Sequence, residues 1–314
     1  MEEKTPLLVV TGPTASGKTR LSIDLARCRG GEIVCADSMQ IYKEMQIATA
    51  KPTPEEMGGV PHHLFDFLDL DEEFSVAQYC RRAKEAIAHI AGRGKLPMLV
   101  GGTGLYIHSL IDNVDFDQIK TNEPLRKELC LYAQENGNEA LFSRLKEIDP
   151  ALCEKLHPNN LYRVIRAIEV YHTTGVPMSE LQRKAKGRES PYALCMIGIA
   201  YDDRQKLYDR VNLRVDQMLE AGLLEEARDI LSRDAVRTAR QAIGYKELIG
   251  YLNGEIPLEE AVENLKRETR RYAKRQLTWF RRDPRIQWIY PDLLHGYDEV
   301  FLSAQKILEK SGIL

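Results

Sequence analysis

No stretch of this 314-residue sequence approaches the roughly 18 uncharged apolar residues that a membrane helix requires. Its start, Met1-Glu2-Glu3-Lys4, leads straight into a strand-like run rather than a signal-type segment. The expected location is the cytoplasm, with no membrane partner. Cysteine is sparse: Cys28, Cys35, Cys80, Cys130, Cys153 and Cys195 are scattered, without a Cys-x-x-Cys pair or histidines at metal-ligand spacing. That argues against a zinc module or a disulfide framework and for thiols in a reducing compartment. Internal repeats and low-complexity tracts are absent, and the net charge of −3 argues against a protein that coats nucleic acid over its whole surface.

What is present suits a folded chain, with 43% apolar and 29% charged residues. Its length implies one main domain carrying a substantial insertion. The near-neutral total hides an asymmetry. Residues 264–285 hold nine basic side chains against Glu268 and Asp283, so the rest of the chain carries −10.

Residues 7–11 (LLVVT), 32–36 (EIVCA), 96–100 (LPMLV) and 193–200 are continuous apolar runs of the kind buried on both faces of a parallel sheet. A weaker short strand is expected within 63–68, with His62 and His63 read as turn residues, and a late one at 286–290. Helices are expected at 18–27, 75–91, 203–220, 223–231, 237–252, 258–281 and at the end of the chain. The alternation of strand, glycine turn and helix predicts an α/β fold: a P-loop doubly wound parallel sheet with helices on both faces, formed by 1–114 and 191–314. Residues 115–190 lack convincing strands and are read as an inserted all-helical domain. Ligands of such sheets sit at the carboxyl ends of the strands, where Gly12, Asp37 and Gly101 fall.

Gly12-Pro13-Thr14-Ala15-Ser16-Gly17-Lys18-Thr19 matches the P-loop pattern between a strand and a helix. The glycines let successive N–H groups turn inward, the helix N-terminus adds positive potential, and Lys18 supplies a full charge to an outer phosphate. Thr19 is placed to put its hydroxyl on Mg²⁺. The loop does not report what hangs from the diphosphate, since a nucleotide and a prenyl diphosphate offer the same oxygens. Asp37 ends the second strand. It serves Mg²⁺, accepts a proton from a substrate beside the phosphates, or merely caps the turn into Ser38-Met39-Gln40. On the late helix, Arg267, Arg270, Arg271, Lys274, Arg275 and Arg281 or Arg282 form a broad cationic face that reads as a phosphate track or as solvated surface. Arg210 and Arg214, and Arg163 and Arg166, mark two further basic helices.

Taken together these residues closely resemble the tRNA dimethylallyltransferase (tRNA isopentenyltransferase) family. The resemblance runs through the P-loop, Asp37-Ser-Met-Gln-Ile-Tyr42, Thr49-Ala-Lys-Pro52, Val60-Pro-His-His63, Gly101-Gly-Thr-Gly-Leu-Tyr106, and His157-Pro-Asn159 with Arg163 and Arg166. It continues in Gly244-Tyr245, Ala273-Lys-Arg-Gln276 and Thr278-Trp279. It implies magnesium-dependent transfer of a dimethylallyl group from dimethylallyl diphosphate to N6 of the adenosine immediately 3′ of the tRNA anticodon. Asp37 is then the general base, with Lys18, Thr19 and Thr103 completing the catalytic set. The diphosphate is expected on Gly12, Thr14, Ala15, Ser16, Gly17, Lys18 and Thr19, aided by Arg210 and Arg214.

The resemblance also places the anticodon stem-loop against Asp37, Ser38, Met39, Gln40, Thr103, Arg126, Tyr162, Arg163, Arg166, Gln241, Gly244, Tyr245 and Lys246, and the basic helix adds Arg270 and Lys274. The target base has to leave its stack to be reached. No C-terminal Cys/His zinc module follows, so a bacterial form is expected, and a monomer. A P-loop kinase would account for Lys18 and Thr19 but not for the basic helix. Prenylation of free adenine nucleotides would leave both the insert and that helix idle. A non-catalytic RNA-binding switch would be indifferent to Asp37 and Thr103.

Overall fold

A computed structural model describes residues 4–114, 121–185, 189–233 and 237–314. The expected start of the insert at 115 lies outside the described residues. Six strands, β1 (Thr5–Thr11), β2 (Gly31–Cys35), β3 (His62–His63), β4 (Leu96–Gly101), β5 (Tyr192–Ile199) and β6 (Ile286–Ile289), form one parallel sheet in the order β3-β2-β4-β1-β5-β6. β1 lies between β4 and β5, with Leu8 opposite both Met98 and Cys195, and Leu7, Leu8, Val9 and Val10 have no exposed surface. That two-sided burial is why the strand reads as a continuous apolar run instead of an alternating one.

The helices Lys18–Arg29 and Tyr297–Lys310 pack Leu21, Leu25, Ala304 and Leu308 against Leu8, Val10, Met98 and Ile197 on one face. Helix Val76–Gly92 begins with a capping box between Ser75 and Gln78 and is tied to β2 by the Tyr79 hydroxyl, which donates to the Cys35 carbonyl at 3.0 Å. Among the described residues no helix is long and apolar enough to cross a membrane.

The chain contacts separate two compact units, Met1–Leu110 with Pro191–Leu314, and Ile111–Ser190. Two expectations for the first unit need correction. The third strand covers only His62 and His63, because Leu64 and Asp66 take left-handed backbone at φ 54° and break the extended run. The helix expected over 237–252 survives only as single turns at Arg237–Arg240 and Ile249–Leu252. Between them Gly244 adopts φ 113°, which a side-chain-bearing residue resists, and the chain turns there.

The second unit contains the helices Glu123–Asn136, Asn138–Ile148, Leu161–Thr174 and Met178–Ala185, with no strand among its described residues. Leu129, Leu141, Leu145, Val164 and Ile168 form its core. Beside that core lies the fully buried Glu169, whose carboxylate accepts the Asn122 N–H and pairs with both Arg126 and Arg166. Burial acts against its charge, but the Asn122 N–H and the two guanidinia outweigh it and hold the pKa below the ordinary 4.5. The depressed folded pKa means that this contribution to stability is complete above 4.5 and is lost as the pH falls through the folded value. Glu169→Gln should therefore cost about 3 kcal/mol at pH 7 and much less in acid, read from urea unfolding at both pH values. An equal cost at the two would show that the charge is not what stabilises.

Candidate active site

β4 lies between β1 and β2, so the three strand ends that carry Gly12, Asp37 and Gly101 are neighbours on one edge of the sheet. The turn after β4 stitches them together. Thr11 Oγ1 donates to the Gly101 carbonyl at 3.1 Å, Thr103 N–H donates to Ala36 O at 3.0 Å, and Thr103 Oγ1 accepts the Ser38 N–H at 3.0 Å. The P-loop is gripped from two helices besides its own. From helix Arg204–Glu220, Arg210 Nε donates to Ala15 O at 2.9 Å and Arg214 Nη1 to Thr14 Oγ1 at 3.2 Å. From the basic helix, Leu258–Phe280, the buried Gln276 accepts the Thr14 N–H at 2.9 Å and donates to Gly102 O at 3.0 Å.

Lys18, Thr19, Asp37 and Arg214 face one cavity of about 290 Å³, which Ser38, Met39, Gln40, Gln241 and Gly244 also line. Ile33, Val100, Met218, Ile243 and Leu265 give part of its wall an apolar surface. A wider cleft of about 700 Å³ shares Lys18, Thr19 and Arg214 with it and adds Arg20, Arg27 and Arg210.

The cradle is short of negative charge. Burial first, and then the Arg214 guanidinium, lower the Lys18 ammonium from 10.5 to about 8, with Asp37 only partly offsetting them. Arg214 is lowered as well, mainly by burial. The Ser16 hydroxyl is buried inside the loop without a hydrogen-bond partner. An anion seated here would relieve all three. Asp37 Oδ1 accepts the Met39 N–H at 2.9 Å and the Gln40 N–H at 3.4 Å, so the capping role is real. Its Oδ2 accepts no hydrogen bond from any described residue and is left for a ligand. Among the described residues no three His, Cys, Asp or Glu side chains converge as a metal cluster. The Thr19 hydroxyl and the Asp37 carboxylate are hard oxygen donors that suit a magnesium ion shared with phosphate, not zinc.

The residues expected against RNA sit in different surroundings. Tyr245, expected against RNA, is fully buried with its hydroxyl donating to Glu226 Oε1 at 2.8 Å, so its side chain offers nothing to a partner. Arg126 and Arg166 are engaged by Glu169, in the other unit, where Tyr162 is 71% exposed and Arg163 is exposed. Arg270 is bonded to Asn212 and Glu263, while Lys274 and Lys246 are exposed, the latter 3.7 Å from Glu247. The Gln40 amide is spent on the Thr49 and Ala50 carbonyls.

His62, taken for a turn residue, lines the cavity, and His63 pairs with the buried Glu32 at 2.7 Å. Sequence reasoning also missed Gln276, Tyr272 and Arg275 as cavity residues. The available signal was an uncharged polar residue inside the most basic stretch of the chain, four positions after Tyr272 and so on the same helical face. The cavity cysteine, Cys35, is no nucleophile, since burial pushes its thiol up to about 12.

Three comparisons bear on this arrangement. The profile of the family described as IPP transferase matches residues 40–283. A protein of Acetivibrio thermocellus named tRNA dimethylallyltransferase is 50% identical over 309 residues, covering 98% of each chain. The crystal structure of the tRNA isopentenylpyrophosphate transferase from Bacillus halodurans is similar at 44% identity and TM-score 0.74, covering 98% of this chain and 97% of that one. A eukaryotic dimethylallyltransferase acting on tRNA superposes with TM-score 0.76 at 32% identity, over 88% of this chain and 70% of its own.

Proposed function

This chain belongs to the IPP transferase family, and from that premise we propose that it transfers the dimethylallyl group of dimethylallyl diphosphate to N6 of the adenosine immediately 3′ of the anticodon in tRNA, releasing diphosphate. The observation that carries the proposal is the shared cavity, in which an anion-starved P-loop and the Asp37 carboxylate face the same partly apolar space.

In this reading the diphosphate lies on the P-loop amides, Lys18, Arg210 and Arg214, and the five-carbon group points to the apolar wall. The N6 lone pair forms a bond to the allylic carbon, the carbon–oxygen bond breaks, and its electron pair leaves with the diphosphate. Adenine N6 is a weak nucleophile because its lone pair is delocalised into the ring, so removal of its proton by Asp37 Oδ2 keeps positive charge from building on the nitrogen. Lys18 and the loop amides stabilise the charge growing on the leaving oxygen. Thr103 holds the Ser38 amide, and through it the turn that carries Asp37. Thr19 would hold Mg²⁺, which when bound neutralises diphosphate charge.

A tRNA substrate sets the compartment as the cytoplasm. It also gives the helical unit a task, with Tyr162 and Arg163 offered to RNA and Arg126 and Arg166 presenting the outer edges of guanidinia that Glu169 holds in place.

The test is incubation with Mg²⁺ and labelled dimethylallyl diphosphate in the presence of either unmodified tRNA or AMP. Label is expected in tRNA alone. Label in AMP would reassign the protein to free nucleotides, and turnover of ATP without label transfer would make it a kinase or a switch.

A further inference from the structure

We propose that the indole of Trp279 is a stacking platform for an RNA base next to the reacting adenosine, an inference that rests on the tRNA reading above. Trp279 stands one helical turn beyond Arg275, which lines the cavity, so the two Cβ atoms are about 5–6 Å apart on one face of the basic helix. It covers the turn that carries Thr103: a Cβ added to Gly104 would lie 2.3 Å from the indole Cδ1. Despite that packing the side chain is 39% exposed, and Leu105, the next residue along the turn, is 51% exposed.

The indole is held rigidly by its polar edge. Asp283 is buried, paired with Arg285 at 2.7 Å, and 3.0 Å from His108 Nε2. With the ring proton on Nε2, donated to Asp283, His108 Nδ1 keeps its lone pair. Of the two groups within reach of it, the Gly104 carbonyl at 2.9 Å and the Trp279 N–H at 2.8 Å, only the N–H can meet a lone pair. The single donor of the indole is thereby satisfied inside the protein, and what remains for a partner is apolar ring. Lys274, Arg275, Thr278, Arg281 and Arg282 are exposed on the same helix and its C-terminal turn. An aromatic face fixed among cations, one turn from a cavity that takes a purine, has the chemistry of a site for single-stranded RNA, in which cations track the backbone and rings take the bases. A flipped-out adenosine leaves a neighbouring base without its stacking partner, and the indole replaces it.

The test uses the full chain. Trp279→Ala should weaken binding of unmodified tRNA by roughly tenfold or more, with Trp279→Phe recovering most of it and dimethylallyl diphosphate affinity unchanged in both. The sequence has two tryptophans, so Trp288→Phe leaves Trp279 as the sole indole emitter. Its fluorescence should be quenched by an anticodon stem-loop RNA and not by the same hairpin made abasic at the positions flanking the target adenosine. Undiminished tRNA binding by Trp279→Ala, equal quenching by the abasic hairpin, or parallel loss of donor binding, which marks a purely structural residue, would each overturn the proposal. Failure of the wild-type protein to label tRNA would instead sink the functional reading, while the quench still decides on stacking.

Discussion

Lys18→Met is expected to lower kcat/KM for dimethylallyl transfer by about a thousandfold, because the lost ammonium acts where diphosphate charge grows as the carbon–oxygen bond breaks. The effect should appear both in donor affinity and in the single-turnover rate, since the charge contacts bound donor and leaving group alike. The same substitution should not lower the thermal midpoint. Lys18 is a cation kept near pKa 8 by burial and by Arg214, so its charge at neutral pH is a cost to the unliganded fold that an apolar side chain of similar length removes. Loss of activity together with an unchanged or raised midpoint separates a catalytic cation from a structural one. A lowered midpoint would mean that its bond to the Pro13 carbonyl at 3.4 Å matters more than the geometry suggests.

Asp37→Asn should reduce the transfer rate by about a thousandfold as well, while changing tRNA affinity by less than about threefold. The choice of asparagine is dictated by the turn. Asp37 Oδ1 accepts the Met39 N–H, and an amide oxygen can do the same, so Asn keeps the cap and deletes only the base. Asp37→Ala removes both, and a comparison of the two variants apportions the roles. Near-wild-type transfer by Asn would reduce Asp37 to a cap, and with it the case for proton removal at this position. Equal loss of transfer and tRNA binding by Asn would point to a contact with RNA in place of acid–base chemistry.

The two variants probe one space, and how that space was legible differs between them. The P-loop announces itself, because eight contiguous residues between an apolar run and a helix specify their own backbone path. Asp37 carried three readings in sequence; in the structure one of its oxygens caps the turn, and the residue lines the cavity. The basic helix was visible from charge alone, but not the role of its single buried glutamine. Gln276 bonds to a residue 262 positions away, and nothing in local spacing encodes such a partner. Arg126 and Arg166 were expected against RNA, and their pairing with Glu169 was not legible because that carboxylate sits on a helix with the periodicity of any other.

By itself, then, the amino-acid sequence determined most of the elements: strands from continuous apolar runs, helices from their period and caps, the anion loop from its glycines, and a helical stretch read at 115–190 where strand patterns stop. Those features depend on neighbours along the chain, and the chain order states them. Tertiary structure alone decided that β4 slots between β1 and β2, so that Lys18 and Asp37 share a cavity, that Tyr245 turns inward, and that Trp279 lies over Gly104 with its N–H on His108. Those outcomes depend on which buried polar groups find each other once the apolar surfaces have packed, and that pairing is settled in space, not along the sequence.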